Sequence, residues 1–218
     1  MQSATFGGLA PASHFALIPV VPGSTGPPLR LASHLRKQIG PIPSSTFPNL
    51  LTDIMKLDTL EKLLIHELKD LASAEAQLID ALPKMARAAH HPELREAFEN
   101  HHRETRTHLD RLHTLFEGTA FSPGGHRCVA MAGLIDEAGQ MIRGDAEDEV
   151  RDAGLVAAAQ KIEHYEIAGY GTVAALADKL GMQEIAATLR ETLEEEALAD
   201  RTLTRLAERV LNFKAMIS

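Results

Sequence analysis

The sequence has almost no cysteine and few aromatic side chains. Its 218 residues include one cysteine, Cys128, two tyrosines and no tryptophan. A single cysteine excludes an internal disulfide and is typical of a reducing compartment, so we expect a cytoplasmic protein. The chain is instead rich in Ala, Leu, Glu and His. This composition favours helices over β-sheet.

Long apolar runs and clusters of basic residues are also missing. The longest apolar runs fall well short of the roughly 20 residues that cross a bilayer, so we expect no membrane partner. The formal net charge is -8 and no basic stripe is present, so nucleic acid is not an expected partner. A chain of this length can form one domain with a sizeable core.

The first 50 residues contain no Asp or Glu. They hold three Lys or Arg and eight of the eleven prolines. Because proline interrupts helices and sheet ladders, we predict that residues 1–50 form a disordered or loosely packed extension. Its apolar stretch, 15–21, contains Pro19 and has no basic residue before it, unlike a signal peptide. A transit peptide and a misplaced start codon are alternative interpretations. Residues 51–218 are predicted to form one helical domain.

From residue 57 onward, apolar residues recur at helical spacing. Pro83 is predicted to kink the first helix or end its regular part, and Pro92 suits the first turn of the second. Asp152 is the predicted N-cap of the third long helix and Gly181 its C-cap. The pattern predicts long helices at 58–89, 92–117, 152–181 and 183–211, with a shorter one at 129–142.

The predicted helices form two hairpins joined by a long connection that contains the short helix. One long crossover between two helical hairpins is typical of ferritin-like bundles. We therefore predict an all-α fold, a ferritin-like four-helix bundle with an extra short helix in the crossover.

All four long helices place acidic or imidazole side chains among their apolar residues. A buried carboxylate is costly unless it is paired or bound to a metal. Independent surface carboxylates would seldom coincide at mid-helix in four helices, so the pattern indicates a metal site at the centre of the bundle. The inward residues are Glu75 in the first helix, His101 and His108 in the second, Glu166 with its neighbour Glu163 in the third, and Glu196 with its neighbour Glu195 in the fourth.

The mixture of donors indicates which metals are expected. Carboxylates are hard oxygen donors that can bridge two divalent ions, and imidazole adds a nitrogen donor. This set suits two iron or manganese ions, whereas a structural zinc site would favour cysteine. For any single glutamate, a solvated helix face is the alternative. Cys128 is predicted to be a small buried core residue, and Tyr165 and Tyr170 to be packing residues.

Several segments are similar to the YciE/YciF family of ferritin-like proteins. The string EHYEIAGYG at 163–171 is the most specific, and HHRETRTHLDRL at 101–112 also matches. Further matches lie at 63–78, 130–142 and 192–207, so the resemblance covers roughly 57–210. It implies a rubrerythrin-like helical bundle, dimeric, in bacterial proteins linked to stress responses.

The resemblance also implies a set of metal ligands. Carried over by motif, these are Glu75, His101, Glu104, Glu163, Glu166, and either Glu195 or Glu196. The sequence departs from the ferritin-like plan, in which two helices supply Glu-x-x-His. Here the second helix has His-x-x-Glu, and the fourth has no histidine after its glutamates. Ala72 stands where the family often has tyrosine.

Three functions are consistent with these features. The first is a di-iron or di-manganese carboxylate protein that handles peroxide or oxygen during stress. The second is a non-catalytic helical scaffold or interaction protein without a functional metal site. The third is iron storage, but no feature of the sequence indicates a cage. We expect a homodimer, formed through faces of the first two helices, because a second copy can cover the outer apolar surface of an Ala-rich bundle.

Overall fold

The computed structural model describes residues 57–117 and 121–218. The prediction for residues 1–50 therefore lies outside the described residues. The described part is helical and contains no β-strand. Its helices are α1 (Leu60–Ala88), α2 (Pro92–Phe116), α3 (Val129–Arg143), α4 (Asp148–Lys179), α5 (Gln183–Leu206) and α6 (Asn212–Ile217), with a π-helical segment (Ala207–Leu211) between the last two.

The four long helices form the predicted bundle. α1 and α2 make one hairpin and α4 and α5 the other, and the hairpins pack through α1 against α4 and α2 against α5. α3 lies in the crossover and packs against α1 and α4. This arrangement confirms the all-α ferritin-like bundle with a short crossover helix.

Local signals explain several helix ends. The Thr59 side chain accepts a hydrogen bond from the backbone N–H of Lys62 at 3.2 Å and caps α1. Pro92 occupies the first turn of α2, as predicted. Gly181 has φ +75°, and the next N–H, that of Met182, donates to the Ala177 carbonyl at 2.9 Å. This is a Schellman cap, which favours glycine because of its positive φ.

α1 continues through Pro83 to Ala88, close to its predicted end at residue 89. Two other predicted boundaries were inaccurate. The helical chain after α5 continues beyond residue 211 to Ile217. Asp152 is not an N-cap, because α4 begins at Asp148 and Asp152 lies buried one turn inside it.

The buried Asp152 carboxylate accepts hydrogen bonds from the turn between α1 and α2. Its two oxygens accept hydrogen bonds from the backbone N–H groups of His90 at 2.8 Å and His91 at 2.7 Å. Since His91 is the N-cap of α2, α4 supplies a negative charge at the positive end of a neighbouring helix.

The apolar core is divided into two clusters. One contains Leu82, Phe98 and Leu155, and the other contains Leu68, Leu112 and Val173. Along all four long helices, buried polar residues lie between the segments that form these clusters. The bundle therefore encloses a polar layer between two apolar ones.

Candidate metal centre

The polar layer is formed by side chains from all four long helices. Their spacing keeps them inside, because residues three, four and seven apart share a helix face. α4 approaches α1 closely at Gly169, where an added Cβ would lie 2.7 Å from Leu71 Cδ2. The buried members are Glu75 from α1, His101, Thr105 and His108 from α2, Glu163 and Glu166 from α4, and Glu196 from α5.

These side chains form two groups with the spacing of metal ligands. The first contains His101, Glu163, Glu166 and Glu196, and the second contains Glu75, His108 and Glu196. Within each group, one donor atom from every residue lies within 4.8 Å of the others. Glu196 belongs to both groups, as a carboxylate between two ions would.

Glu196 lies between the two histidines of α2. Its Oε1 is 2.8 Å from His108 Nδ1, and its Oε2 is 3.7 Å from His101 Nε2. His101 Nε2 is also 3.3 Å from Glu163 Oε1, and His108 Nδ1 is 3.6 Å from Glu75 Oε1. One nitrogen of each imidazole therefore faces the buried carboxylates.

The opposite nitrogen of each imidazole faces a carboxylate nearer the surface. His101 Nδ1 is 3.5 Å from Glu104 Oε2, and His108 Nε2 is 3.0 Å from Glu195 Oε2. Glu195 is also paired with Arg111. Metal-binding histidines are commonly oriented by a carboxylate on their second nitrogen. His108 has this hydrogen bond, whereas His101 has the carboxylate at ion-pair distance without a hydrogen bond.

The predicted site residues thus divide into two layers. Glu75, His101, Glu163, Glu166 and Glu196 are buried together. The Glu104 side chain is 49% exposed and that of Glu195 36% exposed, and neither belongs to a ligand group. The structure places Glu196 rather than Glu195 inside. The His-x-x-Glu of α2 places its glutamate behind the imidazole instead of in the centre.

His108 and Tyr170 extend the predicted site. His108 was in the predicted stripe but not in the predicted ligand set. Its signal is a spacing of seven residues from His101, which is about two helical turns. Tyr170 is buried among apolar residues, but its hydroxyl donates a hydrogen bond to Glu75 Oε1. An aromatic residue at helical spacing gives no sequence signal for that contact.

Many polar atoms at this centre make no hydrogen bond to the described residues. Ten buried side-chain atoms of the polar layer make no hydrogen bond to the described residues, including both oxygens of Glu166 and both oxygens of Glu196. Buried polar groups are normally satisfied, so such a cluster needs an explanation. Two cations would supply it, because the oxygen-rich donor set with two imidazoles suits iron or manganese.

The pKa values of the polar layer without metal are also consistent with a cation site. Burial, reinforced by neighbouring carboxylates, raises the pKa of Glu166 well above its ordinary value. Burial also raises the pKa of Glu163, although His101 opposes this effect. For His101, burial disfavours the charged form, but the charge of Glu163 and the contact with Glu104 raise its pKa to about 10. Without metal, the centre therefore holds protons that ions would displace.

A second polar cluster lies beside the centre. The Tyr165 hydroxyl donates to Asp70 and lies 3.0 Å from Cys128 Sγ, and His126 Nε2 is 2.8 Å from Asp70 Oδ1. Cys128 is buried, and its backbone N–H donates to Ser73 Oγ at 2.9 Å. These contacts attach the start of α3 to α1 and α4.

Comparison with known proteins identifies relatives of this chain. A family model described as a domain of unknown function, DUF892, matches residues 59–216. Protein YciF of Escherichia coli strain K12 is 48% identical over 162 residues, which cover 74% of this chain and 98% of YciF. None of the described helices has the length and apolar character of a membrane span.

Two solved structures share the fold. The crystal structure of the E. coli stress protein YciF matches with a TM-score of 0.68 and 47% identity, covering 71% of this chain and 98% of that one. YcfI of Rhodopseudomonas palustris, described as "a putative structural protein", matches with a TM-score of 0.66 and 39% identity. That match covers 70% of this chain and 98% of YcfI.

Proposed function

We propose that this chain, which belongs to the DUF892 family together with YciF, holds two iron or manganese ions and uses them to reduce peroxide or oxygen under stress. One observation supports this proposal most strongly. Two adjacent ligand groups share the buried Glu196, and both oxygens of Glu166 and of Glu196 make no hydrogen bond to the described residues. Ions about 3.5–4 Å apart are typical of two-metal sites.

The chain's own residues would define the chemistry in three ways. Glu196, which belongs to both ligand groups, would help to hold the ions, while Glu104 and Glu195 would orient the two imidazoles. The apolar clusters on either side limit access of bulk water. When bound, two redox-active ions would supply the two electrons that cleave an O–O bond.

A single-turnover measurement tests this function. Protein loaded with ferrous iron without oxygen should consume about one hydrogen peroxide for every two ferrous ions oxidised, with two protons taken up and two waters formed. Glu196→Gln should remove this stoichiometry, because it replaces the carboxylate that both groups share with a neutral amide. Oxidation no faster than that of free ferrous iron would contradict the proposal.

The second candidate function is a non-catalytic scaffold. Imidazolium–carboxylate pairs favour it, because hydrogen bonds to Glu195, Glu196 and Glu75 overcome burial and raise the pKa of His108 to about 12. A charged His108 can neutralise part of the acidic layer without metal. The relative YcfI carries the description "a putative structural protein". An empty centre in cell-purified protein, with stability unchanged on adding metal, would favour this function.

We further propose that the protein is a cytoplasmic homodimer. One cysteine in the sequence suits a reducing compartment. Phe213, Met216 and Ile217 expose apolar side chains on one face of α6, which supports association through an apolar contact. Light scattering should give twice the 23.7 kDa mass of one chain, and a single-chain mass would exclude the dimer.

A further inference from the structure

A cavity between α2 and α5 reaches the first ligand group from the surface. Its volume is about 150 Å³, and His101 and Glu163 form its inner end. Glu75 and His108 do not line it, and both are fully buried. An external molecule therefore has access to one ligand group and not to the other through this cavity.

The wall of this cavity is mainly apolar. Phe98 and Leu203 are buried in the wall, whereas Leu198 is 50% exposed near the surface. At the inner end, Glu163 Oε2 is buried and without a hydrogen-bond partner among the described residues. The cavity therefore offers a ligand a mainly apolar surface, interrupted by Asn100 and Thr202, and a polar contact at its inner end.

The size of the cavity indicates an organic ligand. A water molecule occupies about 30 Å³, and an apolar cavity of about 150 Å³ can hold benzene. Hydrogen peroxide is only slightly larger than water, so it would leave most of the wall uncovered. A molecule with a short hydrocarbon group would fill the space and bury apolar surface.

The charges at the cavity favour a neutral ligand. Glu104 and Glu195 both line it, and their carboxylates lie behind the two imidazoles. Arg111 pairs with Glu195, but it is not among the lining residues. Carboxylates at the cavity repel an anion such as superoxide and do not repel an uncharged peroxide.

We infer that the cavity binds a small neutral organic hydroperoxide. Its alkyl group lies against Phe98, Leu198 and Leu203, and its O–O group lies at His101 and Glu163. The inference rests on the proposed function, in which two bound divalent ions would supply one electron each. With those two electrons and two protons from solvent, cleavage of the O–O bond would give an alcohol and water.

Binding can be tested on the full chain without metal. tert-Butanol, the alcohol product of tert-butyl hydroperoxide, serves as an inert probe. In protein with ¹³C-labelled leucine methyl groups, it should shift the Leu198 and Leu203 signals in a saturable way. Ala199→Phe should abolish these shifts, because Ala199 lines the cavity. Ala157→Phe, at an exposed position of α4, is the matched control and should preserve them.

Reactivity provides the second measurement. In iron-loaded protein, Ala199→Phe should slow oxidation by tert-butyl hydroperoxide by at least about tenfold more than oxidation by hydrogen peroxide, because only the larger peroxide needs the apolar wall. Leu198→Ser should also slow oxidation by tert-butyl hydroperoxide, but less. Because Leu198 lies at the surface, this substitution should leave the fold intact. Metal content should stay equal in all variants.

The outcomes separate the two proposals. If the leucine signals do not respond to tert-butanol, or if the variants slow both peroxides equally in loaded protein, the inference is wrong and the metal function is untouched. If the protein takes up no metal and neither peroxide oxidises it, the proposed function fails and this inference fails with it.

Discussion

At the scale of single residues, the proposal separates carboxylates that would hold metal from those that would not. Glu166 is fully buried and neither of its oxygens has a hydrogen-bond partner in the described part of the chain, whereas Glu194 is exposed. We predict that Glu166→Ala reduces the iron or manganese bound to cell-purified protein, while Glu194→Ala retains it. Elemental analysis measures the difference. Equal retention by both variants would mean that no ion binds where the first ligand group lies.

The carboxylates behind the imidazoles should tune affinity. Glu195→Gln keeps the size of the side chain but weakens its bond to His108 Nε2. We expect metal affinity to fall about 10- to 100-fold, as is typical for residues that orient ligating histidines.

A matched control for this change is available on the same helix. Glu191→Gln alters a carboxylate that also pairs with Arg111 but is not paired with either imidazole of the centre. Competition with a metal-sensitive dye measures both affinities. An equal loss in the two variants would assign the effect to Arg111 or to net charge rather than to the imidazole.

Five of the seven residues that the sequence suggested as metal ligands lie in one buried layer, while their role as ligands stays a prediction. Glu75, His101, Glu163, Glu166 and Glu196 are buried together. Periodicity did not choose between Glu195 and Glu196, because adjacent positions lie only about 100° apart on a helix. The family resemblance also gave Glu104 as a ligand, although Glu104 lies three residues after His101 on the same helix and its carboxylate faces the outer nitrogen of that imidazole.

At the scale of helices, Asp152 connects α4 to the turn between α1 and α2. Asp152→Ala would leave the backbone N–H groups of His90 and His91, in a partly buried turn, without their acceptor, so we predict a loss of about 1–2 kcal/mol in unfolding free energy. Urea unfolding measures it. The control is Asp145→Ala, at an exposed position before α4. Equal unfolding free energies in the two variants would show that Asp152 does not stabilise the turn. The metal content should be unchanged in both variants.

The number and approximate positions of the helices were predictable from the sequence. Their end residues depend on contacts across the bundle. Apolar spacing identified the long helices and the short crossover helix. Asp152 has the composition of an N-cap, but tertiary contacts place it inside α4. Pro83 is accommodated within α1, where the buried Leu82 and Met85 continue the core face before and after it. Such contacts join residues more than 60 positions apart, beyond the reach of a local pattern.

At the scale of the whole molecule, stability should depend on pH in opposite ways with and without metal. Burial raises the pKa of Glu163 and Glu166 above the ordinary 4.5, and carboxylates raise that of His101 to about 10. The metal-free folded state therefore binds more protons than the unfolded state between these values. Its unfolding free energy should fall as pH rises from about 5 to 9.

Metal reverses this trend, because ions replace protons on the same ligands. Urea unfolding at several pH values, with chelator and with ferrous or manganous ion, gives the comparison. The metal-loaded protein should gain stability from about pH 5 to 7. His108 and Arg111 lower the pKa of Glu195 to about 2 against the effect of burial. Glu195 therefore makes the unfolding free energy rise with pH, but only at lower pH. A metal-free stability that rises through this range would contradict the assignment of raised carboxyl pKa values.

The most direct test of the account is the metal content of protein purified from cells without a histidine tag. The two ligand groups that share Glu196 predict about two iron or manganese ions per chain, and fewer than half as many in Glu196→Ala. Protein that contains no tightly bound iron or manganese, and that takes up none when ferrous or manganous ion is added without oxygen, would contradict the two-metal centre.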